Sequence, residues 1–322
     1  MTTLDDTLTG RTDAGALIPE EYRNILLKAL PGESLLLAHG TKVPMSRKQL
    51  RMPLQSALVS AGFVNGDTGL KPVTKTAWTN KYLNAEVIAA YVVIPDEVAE
   101  DAEFDIFDAY TPQIVTAISR TLDAAAVFGT NTPASWPTAI VPDAIARAHF
   151  VQRGSKPATA GALAGTFSDA FSLVEADGYL PTAVAAVTNY RGQLRNARDS
   201  QGRQLAEVSA SEVYGVPVTY PLRGQWPNVQ TPGSSNAEAI VGDWTEAIVG
   251  MRDDFRFKVI TEGVISDPLD PTKILINLHQ QDSRALRVTF RVGFQIANTL
   301  TYDNPNNSTR YPFAVVTSPT HA

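Results

Sequence analysis

The chain has 322 residues, long enough for about two compact units at a usual size of roughly 150 residues per domain. Apolar residues make up 44% and charged residues 19%, which excludes the composition of a disordered chain, and no apolar run approaches the roughly 20 residues of a membrane span. The net charge of −6 and the absence of cysteine argue against a strongly basic nucleic-acid binder and exclude disulfides and thiolate metal sites.

The first predicted element is a short amphipathic helix within residues 18–30, on an extended and otherwise polar arm. Pro19 fits the first position of a helix, and Glu20 and Glu21 are favourable near its positive end. The apolar stripe of this helix follows at Tyr22, Ile25, Leu26 and Ala29. The beginning of the chain lacks the basic and apolar regions of a secretory signal, which favours synthesis and folding in the cytoplasm.

A long β-hairpin is predicted next. Residues 52–64 and 78–94 are rich in β-branched and aromatic side chains, and Asn65-Gly66 between them is a strong hairpin-turn signal. We place the tip of the hairpin between Val64 and Thr76. Because a lone two-stranded hairpin is only marginally stable in water, a long one that projects from a domain needs a neighbour.

A long helix and a small mixed unit follow. Residues 107–128 carry a helical stripe that ends at Gly129, a natural C-cap. After a linker, predicted helices alternate with predicted strands, which indicates a small α/β unit. Its helices lie near residues 164–176 and 190–197, and its strands at 183–187 and 216–220. From residue 239 the chain returns to β character, with main strands at 254–261 and 274–294.

No pattern predicts catalysis, a cofactor or a metal site. The four histidines, His39, His149, His279 and His321, have no ligand spacing, and the common nucleophile and phosphate-binding motifs are missing. The acidic residues between Asp96 and Asp108 fit the start of a helix and a solvated face. The densest basic stretch, residues 191–203, contains Asp199 and is interpreted as a solvated helix and turn. The tryptophans are interpreted as core or interface anchors: Trp78, Trp136, Trp226 and Trp244.

Several short motifs occur in an order that resembles one family. They include Tyr214-Gly-Val-Pro-Val218, Gly242-Asp243-Trp244, and the alternating strand from Arg284 to Ala297. The segments 91–98 and 185–194 fit the same order. This series resembles the tailed-bacteriophage major capsid proteins of the Hong Kong 97 fold. The resemblance implies an α+β fold with an N-terminal arm, an extended β-hairpin (the E-loop), a peripheral domain with a long spine helix on a β-sheet, and an axial α/β domain.

The resemblance also implies a division of the chain. Its segments are the arm at 1–42, the E-loop with its base strands at 43–94, the peripheral domain with the spine helix at 95–135, the axial domain at 136–252, and a return to the peripheral domain at 253–322. The residues expected to contact another subunit lie at the hairpin tip: Asn65, Gly66, Asp67, Lys71 and Lys75. Lys71, Lys75 and Lys81 are available for a covalent cross-link of the kind known in the founding member, but no aligned partners are evident, so they are interpreted as solubilising edge charges.

The implied function is to build a shell. Copies of the chain would form pentamers and hexamers of an icosahedral virion head, assembled in the host cytoplasm around DNA that is bound without sequence specificity. Since the arm motif follows Met1 closely, a scaffolding protein is expected to be separate or dispensed with, and a portal and a decoration protein are further candidate partners. An encapsulin, a cellular compartment of the same fold, is the alternative. A soluble hydrolase-like α/β enzyme is the rival from another class.

Overall fold

The computed structural model describes residues 34–64, 71, 73–97, 106–155, 162–198, 202–203, 205, 208–221, 224, 226, 236–267, 270 and 272–319. The α-helices of this part of the chain are α1 (Leu35–His39), α2 (Ile106–Ala126), α3 (Ile140–Ala146), α4 (Ala162–Ala176) and α5 (Tyr190–Arg195). The predicted arm helix at residues 18–30 lies outside the described residues. No described helix combines the length and apolarity that a membrane span requires.

The strands form two main sheets and one short hairpin. In chain order they are β1 (Thr41–Pro44), β2 (Gln49–Ala57), β3 (Ala77–Pro95), β4 (Phe150–Gln152), β5 (Ala183–Ala186), β6 (Glu212–Val213), β7 (Val216–Thr219), β8 (Ala237–Gly242), β9 (Ala247–Ile260), β10 (Val264–Ser266), β11 (Ile274–Asn277), β12 (Ser283–Ile296) and β13 (Phe313–Thr317). Strands and helices together confirm the expected α+β class.

The first sheet has the strand order β1-β9-β12-β3-β2. Its centre is the antiparallel pairing of β12 with β3, which runs from Ser283 opposite Pro95 to Gly293 opposite Ala85. Alternate side chains of β12 are buried on the face that packs against α2: Leu286, Val288, Phe290, Val292 and Phe294. This period of two directs one whole face of the strand into the core.

The long helix α2 confirms the spine helix expected from the sequence. Ile114, Ile118 and Leu122 recur at helical spacing and are buried against the first sheet. At the end of the helix Gly129 takes a φ of 81°, and the Thr130 amide donates to the Ala124 carbonyl at 2.8 Å. A left-handed residue at this position is what glycine supplies without steric cost.

The second sheet has the strand order β4-β13-β8-β5-β7-β6, with α4 packed against β13, β4 and β8. The predicted strand at 183–187 and helix at 164–176 are therefore present. The division at residue 253 is wrong for the last strand, because β13 pairs with β8 and β4 in the second sheet and not in the first. All five of its residues are buried, so a strand flanked on both edges suits this uniformly apolar run.

Two strand boundaries also differ from the prediction. The strand predicted at 254–261 begins earlier, at Ala247, where it pairs with Ile296. The strand predicted at 274–294 is two strands, β11 and β12, separated by a turn in which Asp282 has a φ of 38°. An aspartate tolerates this left-handed conformation better than most residues, which lets the chain turn without a glycine.

The Gly242-Asp243-Trp244 motif joins the two sheets. A Cβ on Gly242 would lie 2.6 Å from the Pro312 carbonyl oxygen, so a larger residue would push β13 away. The Asp243 carboxylate accepts from the Thr245 amide at 3.1 Å and caps the 3-10 helix Trp244–Glu246. The Trp244 indole is fully buried and donates to the Ala183 carbonyl at 3.0 Å. Each residue of the motif thus has a structural role.

Candidate assembly surface

The predicted hairpin is confirmed in its stem. β2 and β3 are antiparallel from Gln49 opposite Asn84 to Ala57 opposite Ala77. Strand pairing therefore stops earlier than the predicted tip at Val64. Beyond it the two arms are joined by side chains, since the Thr74 hydroxyl donates to the Ser60 carbonyl at 2.7 Å.

Of the residues predicted to contact another subunit, the structure describes two. Lys71 and Lys75 are both exposed. Asn65, Gly66 and Asp67 lie outside the described residues, so their contacts stay a prediction. The charges of the two lysines are thus available to a neighbour or to solvent.

The sequence reasoning missed the apolar character of the hairpin's flanks. Phe63 and Val73 are fully exposed, and Trp78 and Tyr82 on β3 are 65% and 45% exposed. Covering such side chains with another surface is favourable by roughly 25 cal/mol per Å² of apolar area. Trp78 is the exception among the tryptophans, because Trp136, Trp226 and Trp244 are buried. It fits the interface role that the sequence left open.

The base of the hairpin is fixed to the body of its own subunit. The Lys81 ammonium donates to the carbonyls of Ile296 and Ala297, each at 2.8 Å. Burial lowers the pKa of Lys81 to about 8, and the charge of Arg147 lowers it further. The Trp136 indole donates to the Asn84 carbonyl at 3.0 Å on the same strand. Lys81 therefore holds the stem in place and is not a free lysine at the tip.

A buried polar network supports the connector at residues 297–312, which links the two sheets. The guanidinium of Arg310 donates to the Asn298 carbonyl at 3.1 Å, to the Asn304 carbonyl at 2.9 Å and to the Tyr179 hydroxyl at 3.1 Å. From this connector the Tyr302 hydroxyl reaches the hairpin and donates to the Val59 carbonyl at 2.7 Å. The stem thus rests on the element that crosses between the sheets.

The sheet face opposite α2 is covered over only part of its length. Met45, Leu83 and Ala85 close one end of this face as a small apolar cluster. At the other end Val87 and Tyr91 of β3 are half exposed. The uncovered end is a second surface on which another chain could pack.

Cations line the rest of this open face. Arg287 and Arg291 of β12 lie opposite Tyr91 and Val87, and residues directly opposite one another share a face of the sheet. On their other side the same arginines face Lys258 and Arg252 of β9, with Arg256 nearby. We call these five cations the cationic band: Arg252, Arg256, Lys258, Arg287 and Arg291. No basic stripe was expected, because this band is formed by register between distant strands.

The band is not free of internal contacts. Arg252 and Arg256 also take part in interactions within the chain. Two acidic residues, Asp253 and Asp254, lie between them in β9. Arg256 and Lys258 are exposed, whereas the other three cations are half-buried. The band is consequently positive but partly compensated.

The residues considered for chemistry serve the fold where the structure describes them. His39 Nε2 lies 2.8 Å from the Thr219 hydroxyl, and His149 Nε2 lies 3.3 Å from the Asp177 carboxylate. Asp96, at the start of the acidic run, forms an ion pair with Arg284 at 2.6 Å. In the described part of the chain, no three or more acidic or histidine side chains group as metal ligands would.

Comparison with known proteins agrees with this architecture. The profile described as "Phage capsid family" matches residues 14–300. The curated "Major capsid protein" of Staphylococcus phage 80alpha is 21% identical over 281 residues, covering 86% of this chain and 81% of that protein. A solved structure from Microbacterium phage Oxtober96 is 30% identical, covers 97% of this chain and 99% of its own, and has a TM-score of 0.75.

Further solved structures share the fold. One from Mycobacterium phage Cain is 27% identical with a TM-score of 0.77, covering 97% of this chain and 99% of that one. The structure titled "Capsid of native GTA particle computed with C5 symmetry" is 16% identical with a TM-score of 0.61, covers 88% and 89%, and shows the fold alone. The sequence motifs, the two-sheet architecture with its spine helix and the profile match over most of the chain agree: this chain belongs to the phage capsid family and is a structural capsid protein.

Proposed function

We propose that copies of this chain assemble as pentamers and hexamers into the icosahedral head of a tailed phage, around its double-stranded DNA. The observation that carries the proposal is the hairpin, which exposes Phe63, Val73 and Trp78 on a stem fixed to its own subunit. Soluble monomers rarely keep large aromatic side chains exposed together on a projection. The family match and the C5 symmetry printed for the related GTA capsid support the same assembly.

The mechanism is geometric. A hairpin with a fixed base and an apolar end can pack on a neighbouring subunit, and the open face with Val87, Tyr91 and the cationic band is the candidate acceptor. Each such contact is modest. In a closed ring or shell, however, every subunit makes several contacts at once, and the high effective concentration makes the whole far more stable than one contact.

The enclosed DNA would be held without sequence recognition. The net charge of −6 leaves no strong general attraction to phosphate, and the one concentrated group of cations found in the described residues is shared with apolar side chains. Filling the head therefore depends on other components. Under this proposal those are a portal and, as separate proteins, a scaffold and a decoration protein, all meeting the subunit in the host cytoplasm.

The test uses the purified full-length protein. Negative-stain electron microscopy and sedimentation velocity should show closed shells or, without a scaffold, pentamers, hexamers and aberrant tubes. The reason is that the exposed hairpin is buried only in an assembly. A single sharp monomer boundary across concentrations that approach the millimolar range would contradict the proposal.

A further inference from the structure

Residues 34–40 attach the beginning of the described chain to both layers of the fold, and we call them the N-terminal clip. Leu35, Leu36 and Leu37 of α1 are buried in the main core. At the other end of the clip, His39 contacts the Thr219 hydroxyl of β7 and its ring lies 5.7 Å from that of Trp244. The 33 residues that precede the clip are therefore connected to the subunit through it.

One carboxylate receives the start of the clip. The Ser34 hydroxyl donates to Asp123 Oδ1 at 2.7 Å, the Leu35 amide to Oδ2 at 2.9 Å and the Leu36 amide to Oδ1 at 3.2 Å. Asp123 lies on α2, is fully buried, and no cationic side chain among the described residues forms an ion pair with it. Its geometry suits an ionised acceptor, but its surroundings disfavour the charge.

The balance of these effects gives the direction of a pH response. Burial raises the pKa of Asp123 to about 6, although the hydrogen bonds from Ser34, Leu35 and Leu36 lower it. With the clip released, the carboxyl would be solvated and titrate near its ordinary value of 3.8. The attached state thus binds the proton more tightly. Acidification through about pH 6 favours attachment, and ionisation above that pH favours release.

Other titratable groups around the clip do not cancel this response. His39 is the histidine of the clip, and burial lowers its pKa from 6.5, so its protonation opposes attachment only at lower pH. Thr219 and Trp244, which face it, do not titrate. On the side of α2 and the first sheet, burial and the three hydrogen bonds account for the behaviour of Asp123, with no charged neighbour among the causes.

We propose that the N-terminal clip is a reversible joint, in which ionisation of Asp123 loosens residues 34–40 from α2 while both sheets remain folded. Burial of the three leucines keeps the attached state dominant, so ionisation enlarges a small released population. The arm before Ser34 would gain freedom of position at neutral pH and be held more firmly in mild acid. This property belongs to the single subunit and does not depend on shell formation.

Hydrogen exchange of the full-length protein tests the joint. Protection of peptides that contain residues 34–40, corrected for the intrinsic pH dependence of exchange, should fall roughly tenfold between pH 5 and pH 8. Asp123→Asn should abolish this dependence because it cannot ionise. Glu175→Gln, which alters an exposed acid on α4, should retain it. Protection that is independent of pH in the wild type, or an unchanged slope in the Asp123 variant, overturns the proposal.

Two further measurements separate local release of the clip from loss of the whole fold. Ser34→Ala removes a hydrogen bond to the carboxylate, so the midpoint of the pH response should move to higher pH; an unchanged or lower midpoint overturns the proposal even if Asp123→Asn does not fold. Peptides from β12 provide the internal reference. If their protection falls in parallel with that of residues 34–40, the whole subunit is opening and the clip is not a separate joint.

Discussion

Tyr302 donates its hydroxyl hydrogen to the carbonyl of Val59 across 2.7 Å, although 243 positions separate the two residues in the chain. This bond lies just beyond the last paired residues of the hairpin stem. Up to this point the hairpin is held by its own subunit. Farther along, Phe63 and Val73 are fully exposed, so the outer part of the hairpin has little to contribute to the isolated protein.

Replacement of residues 65–75 by a short Gly-Ser turn should therefore separate folding from assembly. We expect the melting temperature of the isolated subunit to stay nearly unchanged, because the stem anchors at Lys81 and Val59 remain. Shells should be lost, because the hairpin end has been removed. Calorimetry and electron microscopy measure the two properties. Shells at wild-type yield, or an unfolded subunit, would show that the segment does not act between subunits.

Charge reversal in the cationic band should impair assembly while leaving the fold intact. Lys258→Glu combined with Arg291→Glu alters two cations on the open face, and substitutions at such surfaces usually change stability by no more than about 0.5 kcal/mol each. The matched control is Arg47→Glu with Lys48→Glu, which changes the net charge equally at exposed positions away from the band. Light scattering should show slower assembly only for the first pair. Equal slowing in both would assign the effect to net charge.

Lys81→Met should weaken the hairpin base and remove a pH dependence. The carbonyls of Ile296 and Ala297 lose a donor that contributes about 1 kcal/mol per bond. Because the pKa of Lys81 falls to about 8 on folding, the unfolded chain binds more protons above that pH, and this group makes stability rise between pH 8 and its ordinary value of 10.5.

Denaturant unfolding at about pH 7.5 and about pH 9.5, on either side of the folded-state pKa, should show the smaller stability of the Lys81 variant and the lost contribution. Lys75→Met, at an exposed position of the same hairpin, is the control and should change neither quantity. A pH response that persists in the Lys81 variant would assign it to another group.

Arg310→Ala should destabilise the connector by about 3 kcal/mol or more, because Asn298, Asn304 and Tyr179 are left with unmatched polar groups in a buried site. Chemical denaturation measures this loss. Arg198→Ala, at an exposed arginine, should cost no more than about 0.5 kcal/mol. Comparable losses in both variants would mean that the buried network adds little.

How far the sequence could predict this structure depends on the range of the signal. Helix α2 was predicted because its stripe recurs within the helix itself, and the hairpin stem because its turn signal is local. The placement of β13 was not, since a short apolar run does not reveal which sheet will receive it.

The candidate site was harder to predict for the same reason. Lys71 and Lys75 were correctly expected to be exposed, but the cationic band arises only when the register places Arg287 opposite Lys258 and Arg291 opposite Arg252. The aromatic character of the hairpin end was present in the sequence. What the sequence did not show was that no part of the described chain covers Phe63 or Trp78.

The position of β13 has a consequence for synthesis. This strand lies between β8 and β4, although it is formed by residues 313–317. While the ribosome is still making the earlier residues, β8 lacks a partner on one edge and β4 has no partner in the sheet. The second sheet can therefore close only after Thr317 has emerged from the exit tunnel. A partly translated subunit would have an incomplete sheet and could not be incorporated into a growing particle.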